Sequence, residues 1–118
     1  MKDLAPDIVR QRLLIEGIYS ISVGREEVES YLLGVASHLN LRTYGSPIIY
    51  APGGAGKEEN EGFDAFIPLI DSGISLYVWT SASFFASVLF TCKAFDTASA
   101  LNYTKEFFAT MEVEHQKF

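Results

Sequence analysis

The side chains able to do chemistry in this chain are few. A glycine-rich stretch, GGAGK at 53–57, carries the lysine of a phosphate loop, but that motif needs glycine where Ala51 stands and serine or threonine where Glu58 stands. The acidic EENE segment that follows repels phosphate, so a flexible surface loop is the expected role. Two histidines, His38 and His115, are far apart in sequence and fall in no metal-ligand spacing; both are expected to be solvated surface residues. No serine or cysteine hydrolase triad can be assembled around them. What is left is Ser72, between Asp71 and Gly73, and the single cysteine, Cys92, with Asp64 and Tyr77 as further polar groups in the same region. A serine hydroxyl and a cysteine thiol are the side chains of covalent catalysis. Taken singly, however, a serine at a turn and a lone cysteine are ordinary structural residues.

These groups must be positioned by the elements around them. Residues 13–23 are rich in β-formers and read as a first strand, ended by Gly24. From Arg25 to Asn40, the apolar residues Val28, Tyr31, Leu32, Val35, Ala36 and Leu39 trace the stripe of an amphipathic helix, with Glu26 and Glu27 in its first turn. Residues 41–50 read as a second strand and 51–62 as an exposed, glycine-rich loop. Three β-like runs follow, at 63–71, 73–80 and 84–93, the last two joined by Ser81, Ala82 and Ser83 in a hairpin. Pro68 removes a ladder donor, which predicts an edge strand or a bulge. Asp96 is a suitable N-cap for a second helix carrying Ala98, Leu101 and Phe108 on one face, and 111–115 reads as a final strand. The expected order is βαβββαβ, an α+β two-layer sandwich whose mostly antiparallel sheet has two helices on one face. Alternation sends Ile74, Leu76 and Val78 to one side and Ser75, Tyr77 and Trp79 to the other, leaving an aromatic second face suited to a ligand or a partner.

At 118 residues the chain is expected to be one domain, 1–118, and at 48% hydrophobic and 20% charged residues it is expected to fold. Its aromatic content, 14%, exceeds what a small core needs, which points to a pocket or a buried interface, and so to a homodimer. The net charge of −6 repels nucleic acid and favours small cationic molecules. One cysteine precludes an intramolecular disulfide, and the opening MKDLAPDIVRQR lacks the apolar stretch of a signal peptide; a cytoplasmic protein is expected. No apolar run approaches the roughly 18 residues of a spanning helix, so a soluble chain without a membrane partner is expected.

The stretch IDSGISLYVWTSASFFASVLFTCKAFD resembles the small prokaryotic S-adenosylmethionine decarboxylases, pyruvoyl lyases of polyamine biosynthesis. Their signature runs Glu-Ser-His, then His-Thr-Trp-Pro-Glu, then Phe-Thr-Cys-Gly. In the same register, without a gap, stand Asp71, Ser72 and Gly73, then Tyr77, Val78, Trp79, Thr80 and Ser81, then Phe90, Thr91, Cys92 and Lys93. The resemblance implies autoprocessing: the Ser72 hydroxyl attacks the Asp71 carbonyl, the amide becomes an ester, and elimination and hydrolysis leave a pyruvoyl group as a new N-terminus. That group would be the only cofactor, acting as electron sink for decarboxylation. Cys92 matches the family cysteine that protonates the product carbon, and Asp71 matches the acidic residue before the serine.

Several departures stand beside these matches. The family histidine that takes a proton during processing is replaced by Tyr77, a phenol with an ordinary pKa of about 10 and a poor base near neutrality. The histidine after the serine is Gly73, a second processing serine is Asp64, and Pro-Glu after the tryptophan is Thr80, Ser81. The expectation is a divergent homologue with a degenerate processing site, uncleaved and acting by ligand or partner binding. The alternative is an active pyruvoyl-dependent decarboxylase of S-adenosylmethionine or a related amino acid, with Asp64 or a water in place of the histidine. On either reading Ser72, Tyr77, Cys92 and Asp64 are expected in one cleft. Asp64 and Asp71 are expected to pair there for a sulfonium or polyamine.

Overall fold

A computed structural model describes residues 1–51 and 61–118; the GGAGK stretch and nearly all of the 51–62 loop lie outside the described residues. The strands are β1 (Gln11–Ile18), β2 (Ile48–Tyr50), β3 (Gly62–Leu69), β4 (Ser72–Trp79), β5 (Phe84–Thr91) and β6 (Glu112–Lys117). They pair antiparallel throughout, in the order β2-β3-β4-β5-β1-β6. Helices α1 (Arg25–His38) and α2 (Thr97–Phe108) complete an α+β fold. The element order is therefore βαββββαβ: four strands lie between the helices, one for each of the runs 41–50, 63–71, 73–80 and 84–93, so the order βαβββαβ counts one strand too few. The expected strand at 41–50 is shorter than its run: only β2, three residues that pair with Asp64–Phe66 at the sheet edge, is formed. The rest of the run 41–50 makes only an isolated bridge, Thr43 to Leu69.

Alternation along the strands sets one face inward. Leu13 and Ile15, Ala65, Ile67 and Leu69, Ile74, Leu76 and Val78, and Phe85 and Leu89 are all buried. They meet Val28, Tyr31, Leu32, Val35 and Ala36 of α1, the stripe the sequence predicts. Each fully buried large side chain contributes about 1.5–3 kcal/mol from water exclusion. The Glu27 carboxylate accepts the Gly24 N–H at 2.7 Å, satisfying an N-terminal donor of α1. At the other end Asn40 adopts φ 57 and the Leu41 N–H donates back to the Ala36 carbonyl at 2.8 Å, which stops the helix. Asp96 caps α2, accepting from the Ser99 N–H at 3.0 Å. The buried face of α2 is Ala100, Thr104 and Phe108, with Leu101 partly buried and Ala98 exposed; the stripe is set by the stacking of Phe108 on Phe85, centroids 4.1 Å apart. Inside this layer the Tyr31 hydroxyl donates to Ser87 at 2.9 Å and lies 2.9 Å from Thr104, and burial pushes its pKa up to about 12.

The first strand ends earlier than its β-forming sequence suggests. Tyr19 and Ser20 leave the ladder to donate to the carbonyls of Ser83 and Phe108. Pro68 lies in β3, an interior strand, yet its missing donor faces beyond the end of β2, where the Pro68 carbonyl accepts from the Tyr44 N–H at 3.3 Å. Locally it is on an edge, as a ladder proline must be. Among the described residues no helix covers the opposite face of the sheet. There Ile48, Tyr50, Phe66, Tyr77 and Phe90 are exposed. Among the described residues no helix is long and apolar enough to cross a membrane.

Candidate functional site

The chemistry-bearing residues fall in two places on one hairpin. At the tip of β3–β4, Leu69 pairs with Ser72 and leaves Ile70 and Asp71 as the turn. Ser72 has φ 120, a region that side-chain-bearing residues rarely occupy. The residues around it hold it there. The Asp71 carboxylate, 3% exposed, accepts from the Arg42 backbone N–H at 2.9 Å and from its guanidinium Nε at 3.3 Å and Nη2 at 2.8 Å. The Arg42 carbonyl in turn accepts the Ile70 N–H at 2.8 Å. The Arg42 guanidinium, helped by its backbone N–H, holds the Asp71 carboxyl down at about 2 against an ordinary 3.8. On the other side of the hairpin, Thr91 of β5 pairs with Ser72, and the next residue, Cys92, donates its backbone N–H to the Asp71 carbonyl at 2.9 Å. This carbonyl is the one a Ser72 hydroxyl would attack, and a donor placed on it draws off charge as it develops. The cysteine itself is exposed and is no part of the core.

The second cluster lies on the uncovered face. Tyr50, Asp64 and Tyr77 are direct register neighbours across β2, β3 and β4, so the carboxylate stands between two phenol rings. With Ile48, Phe66 and Ser75 they line an open groove of about 280 Å³. A carboxylate flanked by aromatic rings can hold a cation by charge and by the rings' quadrupoles.

The structure thus brings Asp71, Ser72 and Cys92 together and, separately, Asp64 and Tyr77. Tyr77 is five residues from Ser72 along β4, roughly 17 Å at about 3.3 Å per residue, which is farther than a phenol reaches. The single cleft expected from the sequence does not form within the chain. Nor do Asp64 and Asp71 pair, because Asp71 is buried at the tip and committed to Arg42. Two residues of these clusters stand out less in the sequence. Arg42 carries no local signal, since its partner lies in another element. Tyr50 could have been found from the alternation Ile48, Tyr50 once β2 was placed beside β3. His38 packs on Tyr103, ring centroids 5.1 Å apart, and His115 pairs with Ile15 in the β1–β6 ladder. Among the described residues no group of acidic, histidine or cysteine side chains gathers to hold a metal ion.

No protein-family model matches the chain, and no curated protein does. Among solved structures it is similar to the adenosylmethionine decarboxylase from Aquifex aeolicus, with a TM-score of 0.73 and 19% identity, over 94% of this chain and 89% of that one. At that identity the likeness is one of fold: six antiparallel strands and two helices in an adenosylmethionine decarboxylase-like arrangement.

Proposed function

We propose that this chain is a divergent S-adenosylmethionine decarboxylase-like protein, uncleaved between Asp71 and Ser72, that binds a small cation, a sulfonium or a polyamine, in the groove of Tyr50, Asp64 and Tyr77. The observation that carries this reading is Asp64 standing between two phenol rings on an uncovered sheet face. The pyruvoyl group of the family would have to come from Ser72, and the hairpin tip fits that chemistry only in part. The Asp71 carbonyl has its donor in the Cys92 N–H. A proton acceptor for the elimination is not supplied by Tyr77, which lies along the strand, nor by His38 or His115, which pack elsewhere. Denaturing mass spectrometry of the purified protein is expected to give one species at 13.1 kDa. Two fragments meeting between Asp71 and Ser72 refute it.

The second reading is an active pyruvoyl-dependent decarboxylase. What favours it is the conjunction of φ 120 at Ser72 with the Cys92 donor on the preceding carbonyl. The same mass measurement separates the two. Assembly as a cytoplasmic homodimer belongs to the first reading, with the contact beside the groove, because the uncovered face also leaves Phe90, which does not line it, in water. Sedimentation at micromolar concentration is expected to give a dimer, and a clean monomer removes that part of the reading.

A further inference from the structure

At the far edge of the sheet from the Tyr50–Tyr77 groove, the segment before β1 and the end of β6 enclose a second recess, of about 530 Å³, lined by Met1, Asp3, Ile8, Arg10, Arg12 and Phe118. The two arginines in it are used differently. Arg10 is committed: its Nη2 donates to the Asp3 carboxylate and, at 3.1 Å, to the Ala5 carbonyl, while the other donor on Asp3 is the Ala5 N–H at 3.0 Å. Arg12 has no ion-pair partner among the described residues. Its Nε is buried with no hydrogen-bond acceptor, and its guanidinium lies over the Phe118 ring, 5.7 Å from the centroid. A buried guanidinium N–H without an acceptor is a donor waiting for one, since such groups are otherwise satisfied in folded proteins.

We infer that this recess is a binding site for a small organic carboxylate with an apolar body. The guanidinium of Arg12 is a planar fork of donors that matches a carboxylate once the side chain turns its buried Nε edge to the ligand, and Ile8, Met1 and Phe118 supply an apolar wall for the remainder of the molecule. The volume is that of an ordinary small-molecule site. Against a chain of net charge −6 such binding needs a local cation, and Arg12 is the one that Asp3 leaves unpaired.

The test is calorimetry and amide NMR titration of the full chain with benzoate, with benzamide as the uncharged isostere and inorganic phosphate as a tetrahedral anion. Saturable benzoate binding that shifts the resonances of Arg12 and Phe118 is expected, with benzamide silent and phosphate weaker. Arg12→Gln is expected to weaken benzoate about tenfold or more, and Arg12→Lys by a smaller factor, because an ammonium cannot form the bidentate pair. Benzamide binding as well as benzoate overturns the assignment, as does an unaffected Arg12→Gln variant. Phosphate binding as tightly as benzoate overturns the choice of a carboxylate. If Arg12→Gln does not fold, the parent titration decides, since shifts confined to residues outside the recess count against the site.

Discussion

Replacing Asp64 by asparagine removes the charge from the groove while keeping its shape, and the size of the effect follows from where the carboxylate stands. A cation about 4 Å from it gains about 4 kcal/mol at an effective dielectric constant of 20. Asp64 is exposed on an open face, so solvent screening reduces the usable part to about 1 kcal/mol. Tyr50 and Tyr77 each add about 0.5–1 kcal/mol through their ring faces. Asp64→Asn is therefore expected to weaken binding of spermidine or S-adenosylmethionine about fivefold to tenfold, and Tyr77→Leu about twofold to fivefold. Calorimetry reads both, at low salt and again at about 0.15 M, where the Debye length is about 8 Å and the Asp64 share shrinks. Asp71→Asn serves as the control: that carboxylate is buried under Arg42, so its loss should affect folding and leave ligand affinity within about twofold. Equal affinity in the parent and Asp64→Asn would falsify the groove assignment, and so would equal binding of an uncharged analogue of the same size.

The remaining predictions concern the structure that holds the two clusters. Because the Asp71 pKa is lowered to about 2 from 3.8, its contribution to stability is complete above the unfolded value and is lost as pH falls from 3.8 through 2. Acid denaturation followed by circular dichroism should show that slope in the parent, reduced in Arg42→Ala and not abolished, since the backbone N–H of residue 42 still donates; an unchanged acid limb would contradict the clamp. Tyr31→Phe leaves the buried Ser87 hydroxyl without its donor, an expected loss of about 1–3 kcal/mol in urea titration. Adding Ser87→Ala should recover part of it, and a double variant no better than the single one would show the hydroxyls to be independent.

Much of this fold is legible in the sequence because its elements are held by local and periodic signals. The α1 stripe, the Asp96 cap and the alternation of β4 each follow from spacing within one element, and each appears as expected. Boundaries set by distant partners are not legible in that way. Tyr19 and Ser20 have strand-forming neighbours, but the carbonyls of Ser83 and Phe108 take their donors and end β1. The inward face of α2 is shifted by Phe85, a residue of another element. The site divides along the same line. Register alone places Cys92 beside Ser72, whereas the separation of Tyr77 from Ser72 follows only once β4 is known to run straight from the turn. The Arg42–Asp71 pair, the feature that decides which carboxylate is free, joins residues 29 apart with no pattern to announce it.

The strain at Ser72 and the shape of the Tyr50–Tyr77 groove are linked through Gly73. Glycine would take φ 120 without cost, yet the chain places serine there and glycine one position later. The later position has its own demand: a Cβ on Gly73 would come within 2.5 Å of Phe66 Cζ, so the Phe66 ring lies directly over the bare backbone of residue 73. That seat fixes Phe66 as a wall of the groove beside Asp64 and Ser75. The turn before it is fixed independently, by Arg42 on the Asp71 carboxylate and by the Cys92 N–H on the Asp71 carbonyl. With residue 71 pinned from two sides and residue 73 pinned under a ring, the backbone adjustment between them falls on Ser72, at a cost of about 1–3 kcal/mol. The unusual conformation at the one serine that could be processed is thus accounted for by the packing of the hairpin, and it requires no catalytic role to explain it.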